Sequence, residues 1–88
     1  MDPYRIVFRP SVEKDLRGLP SVQVKRVLKA LESLKTKPIP PRSVRLSGAE
    51  GIYRIRVGDY RIVYGIEPSQ RVVLVHYIRH RRDVYRKL

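Results

Sequence analysis

Apolar residues alternate along Tyr4 to Phe8 (YRIVF), a period of two that predicts a strand. After Pro10 the period lengthens. Val12, Leu16 and Leu19 fall at i, i+4 and i+7, one helical stripe, with Ser11 placed to N-cap it and Glu13 and Asp15 in its early turns. Pro20 opens a second helix, where its missing N–H costs nothing. Val24, Val27, Leu28, Leu31 and Leu34 form the apolar face of that helix, with Lys25, Arg26, Lys29 and Glu32 mostly away from it. Pro38, Pro40 and Pro41 end it. The spacing predicts a helical hairpin from about Ser11 to Lys35.

Beyond the prolines, SVRLSGAEG is short and glycine-punctuated, and its VRL reads as a loop or a brief strand. Three strands follow, roughly Ile52 to Val57, Tyr60 to Ile66 and Arg71 to Ile78, separated by GD and EPSQ. The order is β-α-α-β-β-β with a basic tail, RHRRDVYRKL. It predicts an α+β fold in which a two-helix hairpin packs on one face of a mainly antiparallel sheet. No repeat or internal boundary interrupts it, so residues 1–88 are expected to form a single domain.

Gly58 and Asp59 make a two-residue hairpin turn, glycine being suited to the positive φ such turns require. The turn fixes a register in which Val57 pairs with Tyr60, Arg56 with Arg61, Ile55 with Ile62, Arg54 with Val63, and Tyr53 with Tyr64. Opposed residues share a face and neighbours along a strand do not. Tyr53, Ile55, Val57, Tyr60, Ile62 and Tyr64 therefore face the helices. Arg54, Arg56, Arg61 and Val63 share the other face. Like charges directly opposite are destabilising. Long arginine stems covering a solvated sheet are one account of the cluster. An anion held between the side chains is the account favoured by three arginines converging from two strands.

Charge strengthens that reading. Twenty Lys and Arg against eight Asp and Glu give +12, a balance that favours a polyanionic partner. With 42% apolar and 32% charged residues, the chain carries no run near the roughly 20 apolar residues of a spanning helix, so no membrane partner is expected. MDPYRIVFRP lacks the apolar stretch of a secretory signal, and the absence of cysteine excludes disulfides and zinc-thiolate sites. The expectation is a small cytoplasmic domain. Past the last strand, Arg81 and Tyr85 are placed to join the patch, Tyr85 either to stack on an unpaired base or to pack the tail down. His76, inside a β-rich run, reads as a packing residue, and His80 as one that titrates near neutrality.

YRIRVGDYRIVY, the valine-rich strand after it, HRRDVY, and the amphipathic helix pair joined by LP together resemble the RelE branch of the RelE/ParE toxin superfamily, over essentially the whole chain. The resemblance implies a toxin of a type II toxin–antitoxin pair with a curved sheet. It implies an mRNA interferase, which cuts messenger in the ribosomal A site without metal or cofactor. By resemblance Arg54 and Arg56 hold the second-strand basic positions, Arg61 the arginine of the next strand, Arg81 the one after the last strand, and Tyr85 the base-stacking tyrosine. Arg45, His80 and Arg82 are further RNA-binding candidates. Implied partners are an acidic cognate antitoxin, the ribosome and mRNA. The free toxin is expected to be monomeric, and heteromeric with its antitoxin.

The chemistry implied is attack of the RNA's 2′-hydroxyl on the adjacent phosphorus, giving a 2′,3′-cyclic phosphate and a 5′-hydroxyl. It needs a proton acceptor, stabilisation of the charged phosphorane and a proton donor. Family members often carry lysine in the second-strand positions. Here both are arginine, which does not deprotonate. The base is then His80, Tyr85, or a ribosomal or substrate group. Two other readings stand beside this one: a ParE-like gyrase inhibitor, and a non-catalytic RNA- or ribosome-binding module.

Overall fold

A computed structural model describes residues 3–46, 48 and 50–80. The YRIVF stretch forms β1 (Arg5–Phe8), and two helices follow, α1 (Pro10–Arg17) and α2 (Ser21–Leu34). Next come β2 (Val44–Arg45), β3 (Ile52–Val57), β4 (Tyr60–Glu67) and β5 (Val72–His80). The five strands make one sheet in the order β1-β5-β4-β3-β2, with β1 parallel to β5 and every other pairing antiparallel. VRL thus resolves as a two-residue strand on the β3 edge. Among the described residues, no helix is long and apolar enough to cross a membrane.

The helix starts differ from the sequence expectation. Arg9, not Ser11, is the N-cap of α1, and Pro10 takes the first helical position, where a fixed φ and an absent N–H suit it. Ser11 is left inside the first turn and makes no cap bond. Pro20 lies one place outside α2, with an extended ψ of 147°, and its carbonyl accepts from Gln23 and Val24 N–H to begin the helix. Leu28, expected on the buried face, is 44% exposed. The stripe centres instead on Val27, Ala30, Leu31 and Leu34, all buried. One helical step of about 100° carries Leu28 off that stripe, to the rim of a groove between α2 and β1.

The core lies between this stripe, Val12 of α1, and the helix side of the sheet: Ile55, Val57, Ile62, Tyr64, Val73, Val75 and Ile78. Tyr64 is fully buried and its hydroxyl donates to Pro38 O at 2.8 Å, which ties the proline loop to the sheet. Burial raises its pKa to about 12.

β1 pairs only with Val72 to Val75 of β5. Beyond that point α1 covers the β5 edge. Asp15 Oδ2 accepts the Ile78 N–H at 3.2 Å and the Arg79 Nη1 at 2.9 Å. The carboxylate satisfies an edge donor that β1 is too short to reach. Asp15→Ala is expected to cost about 1–2 kcal/mol, a fall in Tm of roughly 4–16 °C for a domain of this size. Asp15→Asn, which keeps an acceptor for Ile78, should cost less. Thermal melts followed by circular dichroism check both, and equal losses would deny the backbone bond its share.

Candidate functional site: an arginine row on the open face

The β3–β4 hairpin has the register read from its turn, Val57↔Tyr60 through Tyr53↔Tyr64. Gly58 has φ 59°, and among the described residues Asp59 is not in the positive-φ region, the pattern of a II′ turn with glycine first. Arg56 and Arg61 are therefore direct cross-strand partners on the face opposite the helices, and Arg54 pairs with Val63 on the same face.

A further arginine lengthens the row. Arg61 pairs on its other side with Arg79 of β5, and Val63 with Tyr77. Arg56, Arg61 and Arg79 thus line up across three adjacent strands, spanning about 10 Å at the usual strand spacing. The next row is Arg54, Val63 and Tyr77. A bulge produces this placement. Val63 pairs with Tyr77 but Tyr64 pairs with Val75, so His76 is an extra residue in β5. From that point the strand changes parity, which turns Ile78 into the core and Arg79 outward.

Each arginine of the row is held in its own way. Arg56 Nε donates to Gly58 O at 3.2 Å, folding its side chain toward the turn. Arg79 pairs with Asp15 and lies over the Tyr77 ring, 5.1 Å from its centroid. Arg61, half-buried, stands between them. Guanidinium forks match the two non-bridging oxygens of a phosphate, and the row presents three such groups to one surface. None of them can take up a proton.

Other sequence candidates fall elsewhere. Arg45 pairs with Tyr53, so it lies on the side of the sheet away from the row, while Val44 is the partner of Arg54. His80 pairs with Tyr60, also on the helix side, and meets its ring edge-on at 5.2 Å. Arg81, Arg82 and Tyr85 lie outside the described residues. Tyr77 and Arg79 were not singled out in the sequence, although RVVLVHYIRH contains both. The alternation that would have found them is broken by the bulge.

His76 is confined at that bulge. Its Nδ1 is 3.4 Å from Arg9 Nη1, and its pKa is lowered from 6.5, first by burial and then by the Arg9 charge. The fold disfavours the protonated ring, so the unfolded chain binds the extra proton first. Stability from neutral His76 is complete above pH 6.5 and is lost as pH falls from there through the lowered value of the folded state. Between about pH 7.5 and about pH 5.5, the Tm of the wild type should fall further than that of His76→Gln. Parallel curves would deny the linkage.

The family model of the ParE toxin of the type II toxin–antitoxin system parDE matches residues 4–85. This chain belongs to the RelE/ParE toxins. The putative toxin RelE1 of Methanocaldococcus jannaschii is 31% identical over 86 residues, covering 94% of this chain and 96% of that protein. Toxin RelG of Mycobacterium tuberculosis is 28% identical over 86 residues, covering 97% and 99%. Among solved structures, the archaeal RelE–RelB complex of Pyrococcus horikoshii contains a chain that superposes with a TM-score of 0.81 at 28% identity, covering 90% of this chain and 96% of its own. The α+β fold, two helices on a five-stranded mixed sheet, is that of the RelE structures. In this RelE/ParE toxin the outward surface of the sheet carries the arginine row.

Proposed function

We propose that this toxin is a ribosome-dependent mRNA endonuclease, that residues 1–88 act as one RelE-like domain, and that the arginine row binds the phosphate at which the messenger is cut. The observation that carries the reading is the alignment of Arg56, Arg61 and Arg79 on an open face. The 2′-oxygen attacks phosphorus, its proton passes to a base, and the 5′-oxygen leaves with a proton. The phosphorane between these steps gains negative charge, which fixed guanidinium groups stabilise. Arg61 is centred for that task, with Arg54 and Arg56 beside it. Asp15 offsets the charge of Arg79 and holds it in place, making it a positioning residue. Tyr77 offers a ring to an unstacked base. Arg81 and Tyr85 complete the set by resemblance, and the base is supplied from outside the row by Tyr85 or by a ribosomal or substrate group, since His80 packs against Tyr60 on the helix side of the sheet. The reaction needs no metal or cofactor and takes place on cytoplasmic ribosomes.

An acidic antitoxin is the protein partner, as the RelE–RelB complexes of P. horikoshii and M. tuberculosis suggest by likeness. An apolar groove of about 660 Å³ runs between edge strand β1 and α2, lined by Ile6, Phe8, Leu28 and Leu31, and suits an amphipathic segment.

The test is to add the purified toxin to translating ribosomes and map new messenger 5′ ends. Cuts within the A-site codon support the reading. Their absence with ribosomes saturated, together with inhibition of gyrase supercoiling, would replace it with the gyrase-directed reading. That second reading is favoured by the match to the ParE family model.

A further inference from the structure

We infer that the cleft between α2 and the β3–β4 hairpin is a second anion site, which grips the phosphodiester backbone of RNA and takes no part in cleavage. The inference rests on the RNA reading above and adds a surface away from the open face.

The cleft has a volume of about 420 Å³ and is lined by Arg26, Lys29, Arg42 and Arg56, with no carboxylate among its lining residues. Arg26 and Lys29 are three apart on α2, so they project from one helix face. Like charges at that spacing oppose folding, and neither residue has an ion pair among the described residues. Arg42 joins them from the proline loop. Ser43 N and Oγ both bond Pro40 O there, at 2.9 and 2.7 Å, and the Tyr64–Pro38 bond fastens the loop to the core. Arg42 is therefore presented by a rigid loop, with little ordering cost on binding.

The β3 backbone adds a donor. Ile52 O accepts from Leu46 N at 2.9 Å, so Ile52 turns its polar groups away from β4. Two residues on and four residues on, Arg54 and Arg56 do the same. β2 pairs only with Tyr53 and Arg54, which leaves the Arg56 N–H directed to the edge where the cleft opens. Gly58 adjoins the cluster. A Cβ there would lie in ordinary contact with Arg26 Nη1, at 3.5 Å.

Three cations, Arg26, Lys29 and Arg42, and the edge N–H of Arg56 suit a phosphate. The lining has no large apolar side chain, only Ala30 and Val57, so nothing here takes the apolar anchors on which peptide binding depends. Phosphate contacts hold a protein on nucleic acid without reading sequence. Arg56 borders this cleft and carries its side chain in the arginine row, so the two surfaces adjoin at the edge of β3. The backbone held here is either the messenger upstream or downstream of the cut, or a folded RNA of the ribosome.

The experiment compares wild type with Arg26→Ala/Lys29→Ala/Arg42→Ala, all three exposed positions. The probes are a fluorescent 2′-O-methyl RNA strand and a 2′-O-methyl hairpin, which lack the attacking hydroxyl, each titrated over a range of KCl. The variant should bind about tenfold or more weakly at low salt, with the slope of log K against log[salt] reduced by roughly 2, since each phosphate left without its cation lowers the slope by about 0.7–0.9. Loss on the hairpin alone assigns the site to folded RNA, and loss on the strand alone to messenger. Arg26→Lys/Arg42→Lys should restore most of the slope. Affinity and slope unchanged in a folded triple variant overturn the second site alone. A wild type that binds neither probe overturns it together with the RNA reading.

Discussion

Replacing Arg61 with alanine is expected to slow messenger cleavage on ribosomes by about 10²–10³-fold, the usual cost of removing one fixed donor from a developing anion. Position within the row makes Arg61 the sensitive residue. Its neighbours are each turned to a partner at the margin, Arg56 to Gly58 O and Arg79 to Asp15. Arg61 pairs with both of them across the strands, at the centre of the face. Arg61→Lys keeps the charge but loses the planar fork, and should fall between wild type and alanine. The measurement is the rate at which new 5′ ends appear, with a circular dichroism melt of each variant. Retained cleavage in folded Arg61→Ala would remove the row from the chemistry.

One residue further along β4, the same substitution should act on the fold instead. Ile62 is 0% exposed and stands in a row with Ile55 and Ile78, its partners on β3 and β5. Ile62→Ala is expected to cost about 2–5 kcal/mol. That is a large share of the roughly 5–15 kcal/mol available to a small domain, and it should lower Tm by about 10 °C or more. Ile62→Val should cost only about 0.5–1.5 kcal/mol. Val22→Ala, on the exposed side of α2, serves as a control within about 0.5 kcal/mol. Denaturant titration checks all three, and an Ile62→Ala cost near the control would place the core elsewhere. The contrast between positions 61 and 62 is the two-residue period of the strand expressed as function and stability.

Much of this arrangement was legible along the chain because its determinants are local. A two-residue turn at Gly58 and Asp59 leaves a hairpin one register, so the partners of β3 and β4 and the outward placing of Arg54, Arg56 and Arg61 followed from spacing. Helical periodicity likewise located Val12, Val27, Leu31 and Leu34 in the core. It failed at Leu28, because the width of a buried stripe depends on what the helix meets, here a sheet whose edge strand leaves a groove.

The last strand was decided by tertiary packing. Its connection to β4 is longer, and Arg71 adopts a left-handed φ of 51° before the strand begins, so no tight turn sets the pairing by itself. An unbroken ladder from Glu67↔Val72 would have set Ile78 opposite Arg61 on the open face and Arg79 beside Tyr60 against the helices. The bulge at His76 reverses both, burying Ile78 next to Ile62 and completing the arginine row. It also brings the Ile78 N–H and the Arg79 guanidinium to a single carboxylate, Asp15, which is 63 residues earlier in the chain than Ile78. The sequence alone determined the faces of β3 and β4 and the helical hairpin, since short turns and apolar periods act over a few residues. The outward row of three depended on one extra residue placed between the stretch of the β5 edge that β1 pairs and the stretch that α1 covers, and only the folded chain brings those elements together.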